Sequence, residues 1–217
     1  MNKKKIVSIV VAIALVCALG VGLVSAYFTD VETKTNVFTV GKIDIELSEP
    51  NWVEPTNILP EQEIVKDPQV TNVGINDAYV FMEVEVPYAY IVTAADDGTK
   101  NVATDTELFT FDINDGWVAV GDGVKNEDTK TVTYLYAYGN NDNMTALVKD
   151  ATTATLFDCV KFANVVDGQN IEATTQNVVV KAYAIQTTNI NDGKTALDGN
   201  NDDGKVTPAE VWSVISK

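Results

Sequence analysis

Apolar and polar residues alternate along several segments of this chain, which is the pattern of β-strands with one buried face. In YVFMEVEV, residues 79–86, four apolar side chains at even positions share one face. VVVKAYAI, residues 178–185, has few polar positions, which predicts a strand in the middle of its sheet. The strands predicted in this way are KIDIEL (42–47), PQVTNV (68–73), YVFMEVEV (79–86), LFTFDI (108–113), WVAV (117–120), TVTYLYAY (131–138), LFDCVKF (156–162) and VVVKAYAI (178–185).

Clusters of Gly, Asn and Asp separate these segments, for example ADDGTKN at 95–101 and YGNNDN at 138–143. Such clusters form tight turns between short strands. The chain shows no fixed-period repeat. Many short strands joined by polar turns predict an all-β fold, an antiparallel β-sandwich of the jelly-roll kind.

One short helix is predicted at the C-terminus, in TPAEVWSVI. Thr207 stands at the N-cap, Pro208 at the first helical position and Glu210 three residues after the cap, which is a capping box. An apolar stripe on this helix is expected to pack against the sheet. It consists of Val211, Trp212 and Ile215.

The N-terminus has the layout of a secretory signal peptide, residues 1–26. Three lysines at 3–5 precede an apolar run over 6–24, and cleavage is predicted between Ala26 and Tyr27. The mature chain, residues 27–217, then has the length of a single domain.

An uncleaved membrane anchor is the alternative interpretation of this run, because about 20 apolar residues can span a bilayer. Gly20 and Gly22 weaken a helix just before the cleavage point, which favours cleavage. We therefore expect contact with the membrane only before cleavage, and a secreted protein of the extracellular matrix or cell surface afterwards.

The charge of the chain is strongly negative, −16 in total, and loss of the leader's three lysines would make it −19. Nucleic-acid binding needs cationic contacts with phosphates, so this class is excluded. With 46% apolar residues the chain can build a packed core. Cys159 is the one thiol of the predicted mature chain, and its apolar neighbours predict that it is buried rather than paired between chains.

No catalytic residues are predicted. The chain has no histidine, so neither the HExxH helix of common zinc proteases nor a histidine-based triad can be assembled. No Gly-rich phosphate loop follows a strand, so no cofactor site is predicted.

A calcium loop is the one metal site that the spacing suggests. Asn201 and Asp203 fall at the third and fifth positions of such a loop, and Glu210 falls at the twelfth. The first position is Gly199, and Asp198 comes one residue too early. Glu210 is equally explained by the capping box, so a plain turn remains the alternative.

AYFTDVETKTNVFTVGKIDIEL, residues 26–47, resembles the start of the TasA/camelysin family of exported proteins of Gram-positive bacteria. The resemblance rests on an aromatic pair followed by Thr29-Asp30, and then on Phe38 and Gly41 before the first predicted strand. It continues through residues 59–87, where Glu61 replaces the usual glycine, and through KAYAIQTTNI and TPAEVWSVI near the end.

The resemblance implies a leader removed by a signal peptidase of the SipW type and a jelly-roll-like domain that often assembles into fibres. It also implies that the segment after the cleavage site, residues 27–36, adds as a strand to a neighbouring subunit. The family carries a metalloprotease label as well. The residues expected to act in assembly are Tyr27, Phe28, Val31, Val37 and Phe38.

The leading interpretation is a non-enzymatic structural protein, a subunit of a biofilm-matrix or surface fibre whose partners are copies of itself and other matrix proteins. A monomeric secreted or surface binding module, with or without calcium, is the alternative. A camelysin-like metalloprotease is the third.

Overall fold

The computed structural model describes residues 42–169, 171, 174–188 and 205–216. These residues belong to the compact unit formed by residues 41–217. The leader, the cleavage site, the assembly residues and the acidic loop at 189–204 lie outside the described residues. No helix in the described part of the chain has the length and apolar character needed to cross a membrane.

The described residues form eleven strands and a C-terminal helix, so the predicted all-β fold with a short helix is confirmed. In chain order the elements are β1 (Ile45–Ser48), β2 (Glu63–Val65), β3 (Gln69–Asn72), β4 (Ala78–Ile91), β5 (Thr104–Glu107), β6 (Phe109–Thr110), β7 (Trp117–Ala119), β8 (Val124–Asn126), β9 (Thr131–Tyr138), β10 (Cys159–Phe162), β11 (Val179–Gln186) and α1 (Pro208–Ile215).

The larger sheet has the order β11-β4-β9-β7, with β5 added to β4 and β8 added to β9. All of these pairs are antiparallel. β4, which is 14 residues long, is the spine of this sheet and pairs with three other strands.

The second layer contains β1 paired with β3, and β2 paired with β10, which also pairs with β6. The antiparallel pairing continues from β2 into β3 with its register shifted by one residue, since Val65 pairs with Cys159 and Thr71 bridges Thr152. The stretch 63–72 therefore behaves as one interrupted strand. β1 pairs with the β3 part of this stretch and does not extend along the β2 part.

The core lies between the two layers and is built by the alternation seen in the sequence. The even residues of β4 from Val80 to Val86 are fully buried in it, together with Val70 of β3 and Val160 of β10. The predicted inner face of β4 is thus confirmed. The opposite face carries Glu83 and Glu85, whose carboxylates form ion pairs with Lys181 of β11.

The helix α1 packs on that opposite face of the larger sheet. Phe81, an odd residue of β4, is fully buried there against Val211 and Trp212, and the two aromatic rings lie 5.2 Å apart. The predicted capping box is present, because Thr207 Oγ1 accepts from the Glu210 amide and Glu210 Oε2 accepts from the Thr207 amide. Both faces of β4 are therefore covered.

Two predictions about position turn out differently in the described part of the chain. There β11 ends the strand order of its sheet and pairs with β4 alone, and its apolar residues pack into the sandwich core and against the helix. Cys159 is half-buried, since it sits on the outward side of β10 while Val160 points into the core. β2, β5 and β8 were not predicted because they are only three or four residues long, too short for a clear alternation of apolar and polar residues.

Candidate functional site

A groove of about 550 Å³ lies in the described part of the chain. One side of it is formed by residues 52–60, the connection before β2, and another by residues 174–178, which lead into β11. The floor belongs to the second layer: Ile64 of β2, Phe109 of β6, and Val160 and Phe162 of β10.

The floor of the groove is part of the hydrophobic core. Ile64, Phe109 and Val160 belong to the buried cluster between the layers, and Phe162 packs against it with its ring 5.4 Å from that of Phe109. The groove is therefore a place where the sandwich interior opens to the outside. An apolar cleft of this volume is typical of sites that bind a ligand or a peptide side chain.

A buried ion pair holds the mouth of the groove. The Nζ atom of Lys66 lies 2.7 Å from Glu49 Oε1, and the side chains are only 8% and 20% exposed. The same ammonium lies 4.9 Å from the centre of the Trp52 ring, a cation–π contact. Trp52 itself is 40% exposed and lines the groove.

Asp67, the next residue, fixes the connection from the other side. It is buried, and its carboxylate accepts hydrogen bonds from the backbone amide and the side-chain amide of Asn51. Buried charges are costly unless they are paired and hydrogen-bonded. Lys66 and Asp67 therefore tie residues 49–52 to the end of β2 and place Trp52 at the groove.

The charged residues that line the groove are Glu54, Lys66 and Asp167. Lys66 is engaged by Glu49, whereas Glu54 and Asp167 are exposed, and neither makes an ion pair with a described residue. The mouth of the groove therefore combines the exposed Trp52 with polar side chains, among them Thr174 and Gln176, and with the two carboxylates.

β11 begins directly after the groove wall. It is eight residues long, carries no proline and has Lys181 as its only charged residue. Natural proteins usually protect a sheet edge with proline, bulges, several charges or a covering segment. Among the described residues, β1 approaches β11 without pairing with it, and Lys181 is the charged residue of this strand.

The most strongly shifted acid of the described residues lies elsewhere, on the exposed surface beside β5 and β8. Hydrogen bonds from Tyr88, Lys125 and Lys130 lower the pKa of Glu127 to about 2. The Lys125 ammonium also contacts Asp105 at 2.5 Å and lies 4.3 Å from the Tyr88 ring. This network joins the β8–β9 hairpin to β4 and β5 on the exposed surface, and we interpret it as structural.

Cys159 has no activating partner among the described residues. Burial raises the pKa of its thiol, and the nearby carboxylates of Glu63, Asp158 and Asp112 raise it further. A nucleophilic cysteine needs a lowered pKa.

Of the residues predicted to act in the calcium site, Glu210 is the one that the structure describes. Its carboxylate is used in the capping box, where it also accepts from the Thr207 hydroxyl at 2.8 Å. Asp198, Asn201 and Asp203 lie outside the described residues.

The residues predicted for cleavage and assembly, from Ala26 to Phe38, lie outside the described residues as well. Sequence reasoning missed the groove, because its floor and walls come from four separate parts of the chain. The one signal that pointed to it is Trp52 in NWVEP, an aromatic residue within a Pro-rich connection where no strand is predicted.

The fold and the groove define a class of all-β sandwich proteins with an open apolar cleft. The sequence profile of the family described as camelysin metallo-endopeptidase matches residues 1–116, more than half of the chain, and the chain belongs to this family. No curated protein matches the chain.

The family description implies a metal, so we tested whether the residues present fit one. The chain has no histidine. Within the described ranges, no three side chains of the His, Cys, Asp and Glu types come together as a metal-binding group. The described residues therefore do not fit a metal centre.

Proposed function

We propose that this protein is a non-enzymatic secreted structural protein, a subunit of a matrix or cell-surface fibre. In this proposal, the segment after the cleavage site of one copy adds to the sheet of the next copy beside β11 and places the side chain of Tyr27 in the groove, while that of Phe28 packs on the opposite face of the strand. The observation that supports it is the groove with an apolar floor next to β11, a strand that pairs with β4 alone among the described residues.

The segment has the composition of a strand. Tyr27, Val31 and Val37 occupy odd positions, and threonines stand between them at 29, 33 and 35. β-Branched and aromatic residues favour strands. Addition of a peptide strand to an exposed edge uses main-chain hydrogen bonds for affinity and side-chain pockets for specificity, and β11 with the groove offers both.

The energy available is sufficient for assembly. Burying one aromatic side chain contributes about 1.5–3 kcal/mol, so Tyr27 and Phe28 together contribute several kcal/mol to each junction. Each 1.4 kcal/mol changes the affinity about tenfold. Replacing both residues with serine should therefore abolish assembly at ordinary protein concentrations.

The test is electron microscopy and light scattering of the purified chain beginning at Tyr27. We expect filaments from the parent protein and discrete particles from Tyr27→Ser/Phe28→Ser. A matched control is Tyr90→Ser, which removes an aromatic residue that is 72% exposed far from the N-terminus in sequence and absent from the groove lining. This control should assemble like the parent. Filaments from the double variant would contradict the proposed role of the segment.

A monomeric binding module is the second candidate, because a groove of this size also suits a small ligand. Discrete particles from the parent protein under all assembly conditions would favour it. A protease remains the third candidate through the family description alone. Casein cleavage that a chelator abolishes would establish it and overturn the non-enzymatic proposal.

A further inference from the structure

We infer that the groove recognises a free α-ammonium group, that of Tyr27 in a second copy of the chain, together with the aromatic ring of the same residue. This inference rests on the proposed function, and it specifies the chemical group of the segment that the groove binds. It makes removal of the leader a chemical requirement for docking, because the ammonium at Tyr27 exists only after cleavage.

The charged residues of the groove lining favour a positively charged ligand. Lys66 is the one cation among the lining residues, and its ammonium is held by Glu49 at 2.7 Å beneath Trp52. Glu54 and Asp167 line the groove, and neither makes an ion pair with a described residue. An anionic ligand would find no unpaired cation among the described lining residues, whereas a cation attached to an apolar body matches both the two carboxylates and the floor.

The apolar floor of the groove favours a cation that is attached to a bulky apolar group. Ile64, Phe109, Val160 and Phe162 present an apolar surface in a groove of about 550 Å³, which suits bulky apolar side chains. Cleavage after Ala26 would create an ammonium directly on Tyr27. A lysine side chain offers the charge without an adjacent aromatic ring.

The contribution of the charge is moderate because the carboxylates of Glu54 and Asp167 are exposed. Exposed ion pairs contribute at most about 1 kcal/mol, which corresponds to about fivefold in affinity. A free α-amino group has a pKa of about 8. The fivefold effect should therefore be present at about pH 7 and lost above about pH 9, where the ammonium loses its proton.

The experiment measures binding of a peptide of residues 27–40, labelled at its C-terminus, to the mature protein by fluorescence anisotropy below the assembly concentration. The peptide is used with a free N-terminus and with an acetylated one. The proteins are the parent, the rim variant Glu54→Gln/Asp167→Asn, and the control Asp122→Asn/Asp128→Asn, which removes two exposed carboxylates outside the groove lining.

We expect the free peptide to bind the parent and the control about fivefold more tightly than the acetylated peptide, and the two peptides to bind the rim variant equally. Equal binding of both peptides to the parent would overturn this inference and leave N-terminal docking standing. If the rim variant still binds the free peptide more tightly than the acetylated one, the inference is also overturned, because the ammonium must then bind at other residues. Absence of binding by either peptide would overturn the docking proposal itself.

Discussion

Replacing Glu49 with leucine tests the ion pair that holds the mouth of the groove. The substitution leaves the ammonium of Lys66, whose side chain is 8% exposed, without its carboxylate. Removing one partner of a buried ion pair costs about 3–5 kcal/mol because an uncompensated charge stays buried. Glu49 is 20% exposed and Trp52 still faces the ammonium, so we expect a loss at the lower end, about 3 kcal/mol.

The assay is urea unfolding followed by tryptophan fluorescence. With a slope of about 2 kcal/mol per molar urea, a loss of 3 kcal/mol lowers the midpoint by about 1.5 M. The double variant Lys66→Met/Glu49→Leu removes both charges and keeps apolar volume. It should recover most of the loss, since replacing a buried pair by apolar residues is often neutral.

The control removes one partner of an exposed ion pair. Lys149 lies 2.7 Å from Asp150, with both side chains more than half exposed, and Lys149→Met should change the midpoint by less than about 0.3 M. If Glu49→Leu behaves like this control, or if the double variant is no more stable than Glu49→Leu, the buried pair does not hold the groove as described.

The remaining predictions concern the helix cap, the tyrosines and calcium. Thr207→Ala should lower the free energy of unfolding by about 1 kcal/mol, measured in urea, while Thr207→Ser keeps it within about 0.3 kcal/mol; equal losses would contradict the capping role. Burial, with the nearby charge of Glu107, raises the pKa of Tyr136 to about 12. Because the unfolded phenol has a pKa of about 10, its contribution to stability is complete below pH 10 and is lost as the pH rises towards 12; Tyr136→Phe should flatten the fall of the melting temperature there, and an unchanged slope would refute this. If the acidic loop binds calcium, millimolar calcium should raise the melting temperature of the parent protein. It should not raise that of Asp203→Ala, a substitution that leaves Glu210 and the helix cap intact. If the melting temperature of the parent does not respond to calcium, the loop is a plain turn.

The larger strands and the helix were predictable because their signals are local. The alternation in β4 and β9 has the period of a strand, and the helix start at Thr207 follows from three residues of a capping box. The family resemblance was also local, carried by the residues around Tyr27 and Gly41. It is confirmed by the match over residues 1–116.

The position of each strand in its sheet was decided by the tertiary structure. β11 was expected in the middle because it is apolar, yet among the described residues it pairs with β4 alone, and its apolar residues pack on two faces, towards the core and towards α1. The short polar strands β5 and β8 form because neighbouring strands supply their hydrogen bonds. Their own residues carry little strand propensity.

The groove depended on tertiary structure altogether. Glu49 and Lys66 are 17 residues apart, and Ile64 meets Val160 across an antiparallel pair that joins distant parts of the chain. The alternation of apolar and polar residues along each strand determined which of its faces would point into the core. Which apolar side chains would be covered, and which would be left open beside β11, depended on how the two layers close, because burial is a property of the assembled sandwich.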